Sequence, residues 1–207
     1  MIAKKHLLVF YLLCAGIHLR ADTLNVGIAE VDITPDYPVR LSGFGSRRTE
    51  SEGVTQKIYA EALAFEDKQQ GPAIIITVDN LGVSDEITSE IAARLAKSVG
   101  LKRERLAISA THTHTAPMLK NVCPTLFGNP IPPEHQAHID QYTREFAKKL
   151  ETVALQAVQN IRPSVVSWDC GRAGFAVNRR TKGGPVDHDL PLMVIADPNG
   201  TVRGVYF

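Results

Sequence analysis

Cysteine and net charge are both in short supply here, and each shortage excludes something. Three cysteines occur in 207 residues. One of them, Cys14, sits in an N-terminal apolar run, which leaves Cys123 and Cys170, and two cysteines make no disulfide framework. Lys and Arg number 23 against 22 Asp and Glu, a formal charge of +1. That balance lacks the basic footprint of a nucleic-acid partner. Internal repeats and low-complexity tracts are absent. With 44% hydrophobic and 22% charged residues, the chain is neither disordered nor a membrane bundle. Its length suits one domain with a single core.

What is present begins with a leader-like segment. Lys4 and Lys5 precede an apolar run from Leu7 to Ile17, the size of a signal-peptide core and too short to cross a bilayer. Cleavage after Gly16 or Ala21 fits the small residues there. Leu13 before Cys14 lacks the small residue that a lipoprotein box needs. The expected organisation is a signal peptide over 1–21 and one domain over 22–207, exported to the periplasm or secreted. A buried N-terminal helix is the rival reading.

Further along, Val26, Ile28 and Val31 alternate as in a strand that ends at Asp32-Ile33-Thr34-Pro35, where the Asp anchors a turn. A glycine-bearing loop follows, Gly43-Phe44-Gly45. Tyr59–Phe65 alternates as a second strand. Ala73–Val78 is a continuous apolar run, expected to be covered on both faces. Ser84 caps a helix marked by Ile87, Ile91 and Leu95, and Gly100 ends it. The segment 73–114 therefore reads as strand, helix, strand, a parallel crossover. Pro124, Pro130, Pro132 and Pro133 mark a long loop, a lid or a rim. A long amphipathic helix carries Ile139, Tyr142, Phe146, Leu150 and Val153. Three strands close the chain, from Pro163, from Pro191, and through Val205-Tyr206-Phe207. The fold class is α/β, a mixed sheet with βαβ crossover units and flanking helices.

Chemistry concentrates in Ser109-Ala110-Thr111-His112-Thr113-His114-Thr115-Ala116-Pro117. On extended backbone two histidines one residue apart point to the same side. Such a pair presents two imidazoles to one metal ion, or one to a metal and one to a substrate. The plainer alternative is a hydrogen-bonded surface pair. Asp79 and His112 fall together at strand carboxyl ends, where ligands gather in α/β sheets. For Asp79 the plainer reading is a turn carboxylate.

These pieces, taken in order, resemble the N-terminal catalytic domain of the neutral/alkaline non-lysosomal ceramidase family. The resemblance rests on Asp32-Ile33-Thr34-Pro35, Gly43-Phe44-Gly45, Ala60-x-Ala62-Leu63, the Asp79 strand, Thr111-His112-Thr113-His114-Thr115-x-Pro117, and Asn178-Arg179 before Asp187. It implies a catalytic Zn2+ and hydrolysis of the amide of N-acylsphingosine or a related lipid amide. It implies His112 as a zinc ligand, His114 as a hydrogen-bonding or acid–base group, and Arg179 as the cation that positions substrate. Peripheral contact with a membrane surface follows from such a substrate. The remaining family ligands, a histidine, a glutamate and a tyrosine, and a serine implicated in catalysis come after the position of Phe207. The chain is thus expected to be the N-terminal part of a longer enzyme and inactive alone.

Two rivals stand beside this reading. A barrel-type metal hydrolase also uses His-x-His, but on its first strand, and here three strand candidates precede the pair. A degenerate lipid- or partner-binding domain would carry neither metal nor turnover.

Overall fold

A computed structural model describes residues 23–207; the expected signal peptide lies outside the described residues. Seven strands form one sheet: β1 (Thr23–Asp32), β2 (Tyr59–Phe65), β3 (Ala73–Val78), β4 (Leu106–Ala110), β5 (Arg162–Arg172), β6 (Asp189–Ala196) and β7 (Val202–Tyr206). Their order is β4-β3-β2-β1-β5-β6-β7. β3 and β4 pair in parallel, and the other neighbours pair antiparallel. The helices are α1 (Asp85–Val99) and α2 (Pro133–Gln159). The mixed α/β sheet with a crossover and flanking helices is therefore as the sequence indicates. Its crossover is β3-α1-β4, joined by a right-length helix with a 3-10 turn before β4.

Local chemistry explains the helix bounds. Ser84 accepts the amide hydrogen of Ile87 at its side-chain oxygen, and Asp85 and Glu86 complement the positive end of α1. Gly100 ends α1 at φ 67, a left-handed conformation open to glycine. α2 starts six residues before Ile139 because Pro133 suits the first turn, where its missing N–H costs nothing. Ile139, Tyr142, Phe146, Leu150 and Val153 are buried along one stripe. The buried Tyr142 hydroxyl donates to the Ile33 carbonyl at 2.9 Å, which satisfies a polar group that burial would otherwise penalise.

Both helices lie over one face of the sheet. That face is built from small side chains, Ala29, Ala60, Ala62 and Ala64, with Ile74, Ile76 and Val78 beside them. The expectation that Ala73–Val78 is covered on both faces does not hold. Ile74, Ile76 and Val78 are buried, whereas Ala73, Ile75 and Thr77 are only half-buried. The reason is geometric: alternate residues face opposite sides, and the helices occupy one side. On the other side a smaller cluster of Val26, Val166, Met193 and Ile195 ties β1 to β5 and β6. Cys123 and Cys170 are free and exposed.

The small-residue face sets how closely α2 approaches. A Cβ placed on Gly27 would lie 1.7 Å from the carbonyl oxygen of Ala157 in α2. Gly27→Ala should therefore push α2 off β1 and cost about 3 kcal/mol. Thermal unfolding should fall by roughly 6–12 °C; an unchanged midpoint would show that α2 does not pack this tightly.

Candidate functional site

Strand register brings the singled-out residues to one edge of the sheet. Val78 pairs with Ala110, Ala60 with Val78, and Tyr59 with Asp32. The residues that follow β3 and β4 therefore emerge side by side, next to the start of β2. Asp79 clasps all three strands. One carboxylate oxygen accepts from the Tyr59 amide at 3.1 Å, and the other from the Thr111 hydroxyl at 3.2 Å. Its role in the structure is the turn carboxylate.

The strand does not carry the histidine pair. β4 stops at Ala110, and His112 sits at φ 59, outside the extended region. A left-handed conformation costs a non-glycine residue roughly 1–2 kcal/mol, so its surroundings must hold it. A hydrogen bond does so: His112 Nδ1 lies 2.8 Å from the carbonyl oxygen of Leu81. A carbonyl only accepts, so Nδ1 carries the proton and the neutral ring keeps its lone pair on Nε2. His112 is exposed. The ring of His114 stands 5.1 Å away at 72°, edge to face. The two histidines are thus together, though by a turn rather than by strand alternation.

Asn80 braces this turn, and only its place at a strand end marks it in the sequence. It is fully buried. Its amide donates to the Pro117 carbonyl at 3.1 Å, and its oxygen accepts from the Leu81 N–H at 2.8 Å. One side chain therefore fixes both the segment that orients His112 and the far end of the histidine loop.

The glycine loop packs on His114. Gly43 has φ 95, and a Cβ there would come 2.5 Å from Cβ and Cγ of His114. What the glycine admits is the histidine itself. Phe44 meets the His114 ring edge to face at 5.1 Å. Backbone bonds stitch the two loops, Ser42 N–H to Ala116 O at 3.1 Å and Met118 N–H to Arg40 O at 2.7 Å. Arg47 donates to the carbonyls of Ser42 and His114, and its guanidinium lies 4.9 Å from the Phe44 ring centre. Beside the loops is a cleft of about 340 Å³. Thr113, Thr115 and Asp79 form its wall on the histidine side, and Val39, Leu41 and Ile58 contribute apolar surface.

Arg179 is placed elsewhere. It is exposed on the loop between β5 and β6, and no hydrogen bond or ion pair among the described residues ties it to either histidine. Val165 pairs with Thr23, so β5 runs out past the Thr23 end of β1, away from Asp32. Asn178 shapes this loop by accepting from the amides of Arg180 and Thr181. His188 closes its base with Nδ1 against the Ala173 carbonyl at 2.9 Å.

The donor set at the histidine edge fits part of a zinc shell. His112 offers Nε2 with its other nitrogen held by a carbonyl, the usual outer support of a metal-ligating imidazole. Among the described residues, no group of three or more His, Cys, Asp and Glu side chains is placed to hold a metal ion. A catalytic zinc takes three protein ligands, so these residues would hold it only with donors from outside the described set.

Residues 24–127 match the family model of the N-terminal region of neutral/alkaline non-lysosomal ceramidases. That span contains both histidines and stops short of Arg179. Curated neutral ceramidases are similar to this chain: that of Drosophila pseudoobscura pseudoobscura is 28% identical over 102 residues, and that of Drosophila melanogaster 28% over 98 residues. Those matches cover 48% and 46% of this chain and 14% of each relative. Among solved structures, the neutral ceramidase of Pseudomonas aeruginosa superposes with a TM-score of 0.71 at 17% identity, over 88% of this chain and 31% of that one. A ceramidase complexed with C2 gives a TM-score of 0.69, also at 17% identity, over 88% of this chain and 30% of that one. The chain spans under a third of these proteins.

Behind Thr34 and Lys57, which line the cleft, stands the Asp32 carboxylate. Asp32 accepts from the Thr34 amide at 2.8 Å and pairs with Lys57 at 2.9 Å. Hydrogen bonding from Thr34, followed by that from Lys57, holds its carboxyl at about 2, below the ordinary 3.8. A carboxyl depressed in the folded state stabilises above its unfolded pKa and loses that contribution as pH falls towards the folded one. Asp32→Asn should therefore unfold at a lower temperature than wild type near pH 7, and the gap should close between about pH 4 and pH 2. A gap that stays constant with pH would exclude this anchoring role.

Proposed function

We propose that this chain, which belongs to the neutral/alkaline non-lysosomal ceramidase family, supplies the N-terminal part of an exported zinc-dependent hydrolase that cleaves a ceramide-like lipid amide. The observation that carries this reading is the His112 ring, held through Nδ1 by the Leu81 carbonyl at 2.8 Å. Nε2 is left as the free donor, with a second imidazole 5.1 Å away.

In this proposal His112 would hold the metal together with donors from the rest of the protein. Bound zinc would supply Lewis acidity towards water and towards the amide carbonyl. The remaining work falls to this chain's own residues. His114 is half-buried, and its ring nitrogens make no hydrogen bond within the described residues, so it can donate to or accept from a substrate atom. Imidazole is suited to moving a proton near neutral pH. Asn80 and Asp79 keep the strand ends and the loop in place, so the two rings are positioned before substrate arrives. The cleft beside Thr113 and Thr115 combines hydroxyl and apolar walls, a surface on which one end of a lipid amide can lie.

The resemblance implies Arg179 as the substrate-positioning cation, but its exposed loop lies away from the histidine edge of this chain and gives that role no support; peripheral membrane contact belongs to the same reading. Among the described residues no donor set closes around a metal, and the chain alone is expected to be inactive. The rival of a non-catalytic binding domain has no specific observation in its favour.

The test uses the complete protein and an N-acylsphingosine assay with metal analysis. His112→Ala should lose both zinc and hydrolysis; zinc retained at the wild-type level would refute the ligand assignment. His114→Ala should keep zinc and lose rate by about 10²–10⁴-fold, the range of a positioned acid–base group. Loss of zinc in that variant would reverse the two roles.

A further inference from the structure

The polar network behind His114 contains two arginines that the family resemblance does not single out. Arg40 is 2% exposed. Its guanidinium lies 4.0 Å from the Phe127 ring centre, a desolvated cation–π contact. It donates to the carbonyl of Arg47. Arg47 in turn donates from one nitrogen to two carbonyls, those of Ser42 and His114. Ser42 belongs to the glycine loop and His114 to the loop after β4, so this guanidinium spans the gap between them. It lies over the ring of Phe44, which also meets His114. Gly43 completes the enclosure, because any side chain there would strike His114.

We infer that Arg47, fixed from behind by Arg40, is a positioning residue for His114. The chemistry asks for arginine. Two carbonyls converging on one point need a donor that is always charged and geometrically rigid, and a planar guanidinium provides both. The same guanidinium lies over the Phe44 ring, 4.9 Å from its centre. Without Arg47 the two carbonyls lose their shared donor, the glycine loop loosens, and the His114 ring gains freedom against Phe44. His112 is held separately, through Leu81 and Asn80, so the metal ligand should not respond. Arg47 therefore acts on the second histidine and leaves the first alone.

The activity arm of the test rests on the hydrolase reading above; the geometric arm does not. In this chain, proton NMR should show Overhauser contacts between the ring protons of Phe44 and His114, and Arg47→Gln should abolish them. In the complete protein, Arg47→Gln should lower kcat by about 100-fold, the cost of a misplaced catalytic group. Zinc content and KM should stay near wild type, and Arg47→Lys should recover part of the loss. The inference is overturned if the Phe44–His114 contacts persist in Arg47→Gln, if kcat stays within about twofold of wild type, or if zinc is lost together with rate. Should Arg47→Gln not fold, Arg47→Met, of similar length, is read in the same way. A wild-type protein that cleaves no lipid amide would refute the hydrolase reading, while the Overhauser contacts would still decide the role of Arg47.

Discussion

The parallel pairing of β3 with β4 is the constraint on which this site depends. Thr77 opposes Ser109 and Val78 opposes Ala110, so both strands finish at the same level and release their next residues side by side. From β3 come Asp79, Asn80 and Leu81; from β4 come Thr111 and His112. Every brace on the first histidine follows from that adjacency. Thr111 reaches the Asp79 carboxylate, its N–H reaches the Val78 carbonyl at 3.0 Å, and His112 reaches Leu81. A one-residue shift in register would separate all three contacts at once.

Strain and bracing are two sides of one arrangement. His112 occupies a conformation that costs energy for a residue with a side chain. It stays there because its ring hydrogen bond and the Asn80 brace act on the two ends of a short turn. Asn80 is buried with its donor and acceptor both used, which removes the penalty of hiding a polar amide. Such over-determination holds a ring in one orientation without a ligand to order it, and that is what a preorganised site requires. On the other side, Gly43 contributes by lacking a side chain, since its φ of 95 and its closeness to His114 both exclude one.

Much of the framework was legible in the sequence because it rests on local periodicity. The alternation of Tyr59–Phe65 and the apolar run of Ala73–Val78 gave those two strands their limits, and Ser84 and Gly100 gave α1 its ends. The Asp32 turn was legible too, since an Asp before Thr-Pro hydrogen-bonds its own backbone. What stayed hidden depends on contacts distant in sequence. The left-handed turn at His112 is dictated by Leu81, 31 residues earlier. The partner of Gly43 is a histidine 71 positions on, and nothing in a lone Gly-Phe-Gly identifies it. Burial on one face of β3 rather than two depends on both helices choosing the same side, which apolar composition cannot decide. Nothing in the sequence singles out Arg40 or Arg47, because their partners are the carbonyls and rings of loops that meet only in the fold.

The stretch after the second histidine shows how the fold accommodates a sequence departure. Where the resembling family commonly has Ser-Gly-Pro-Gly-Gly, this chain has Thr115-Ala116-Pro117-Met118-Leu119. Side chains in place of glycines would crowd a substrate if they pointed towards the histidines. They are instead buried: Ala116 and Leu119 are fully covered and Met118 is 3% exposed, with Met118 and Leu119 packed in the main core. The backbone between them bonds to Arg40 and Ser42. The added side chains therefore anchor the loop from beneath, which leaves the edge carrying His112 and His114 open. Replacing glycine here trades backbone freedom for packing, and the loop that results is tied to the core immediately behind the residue whose position matters most.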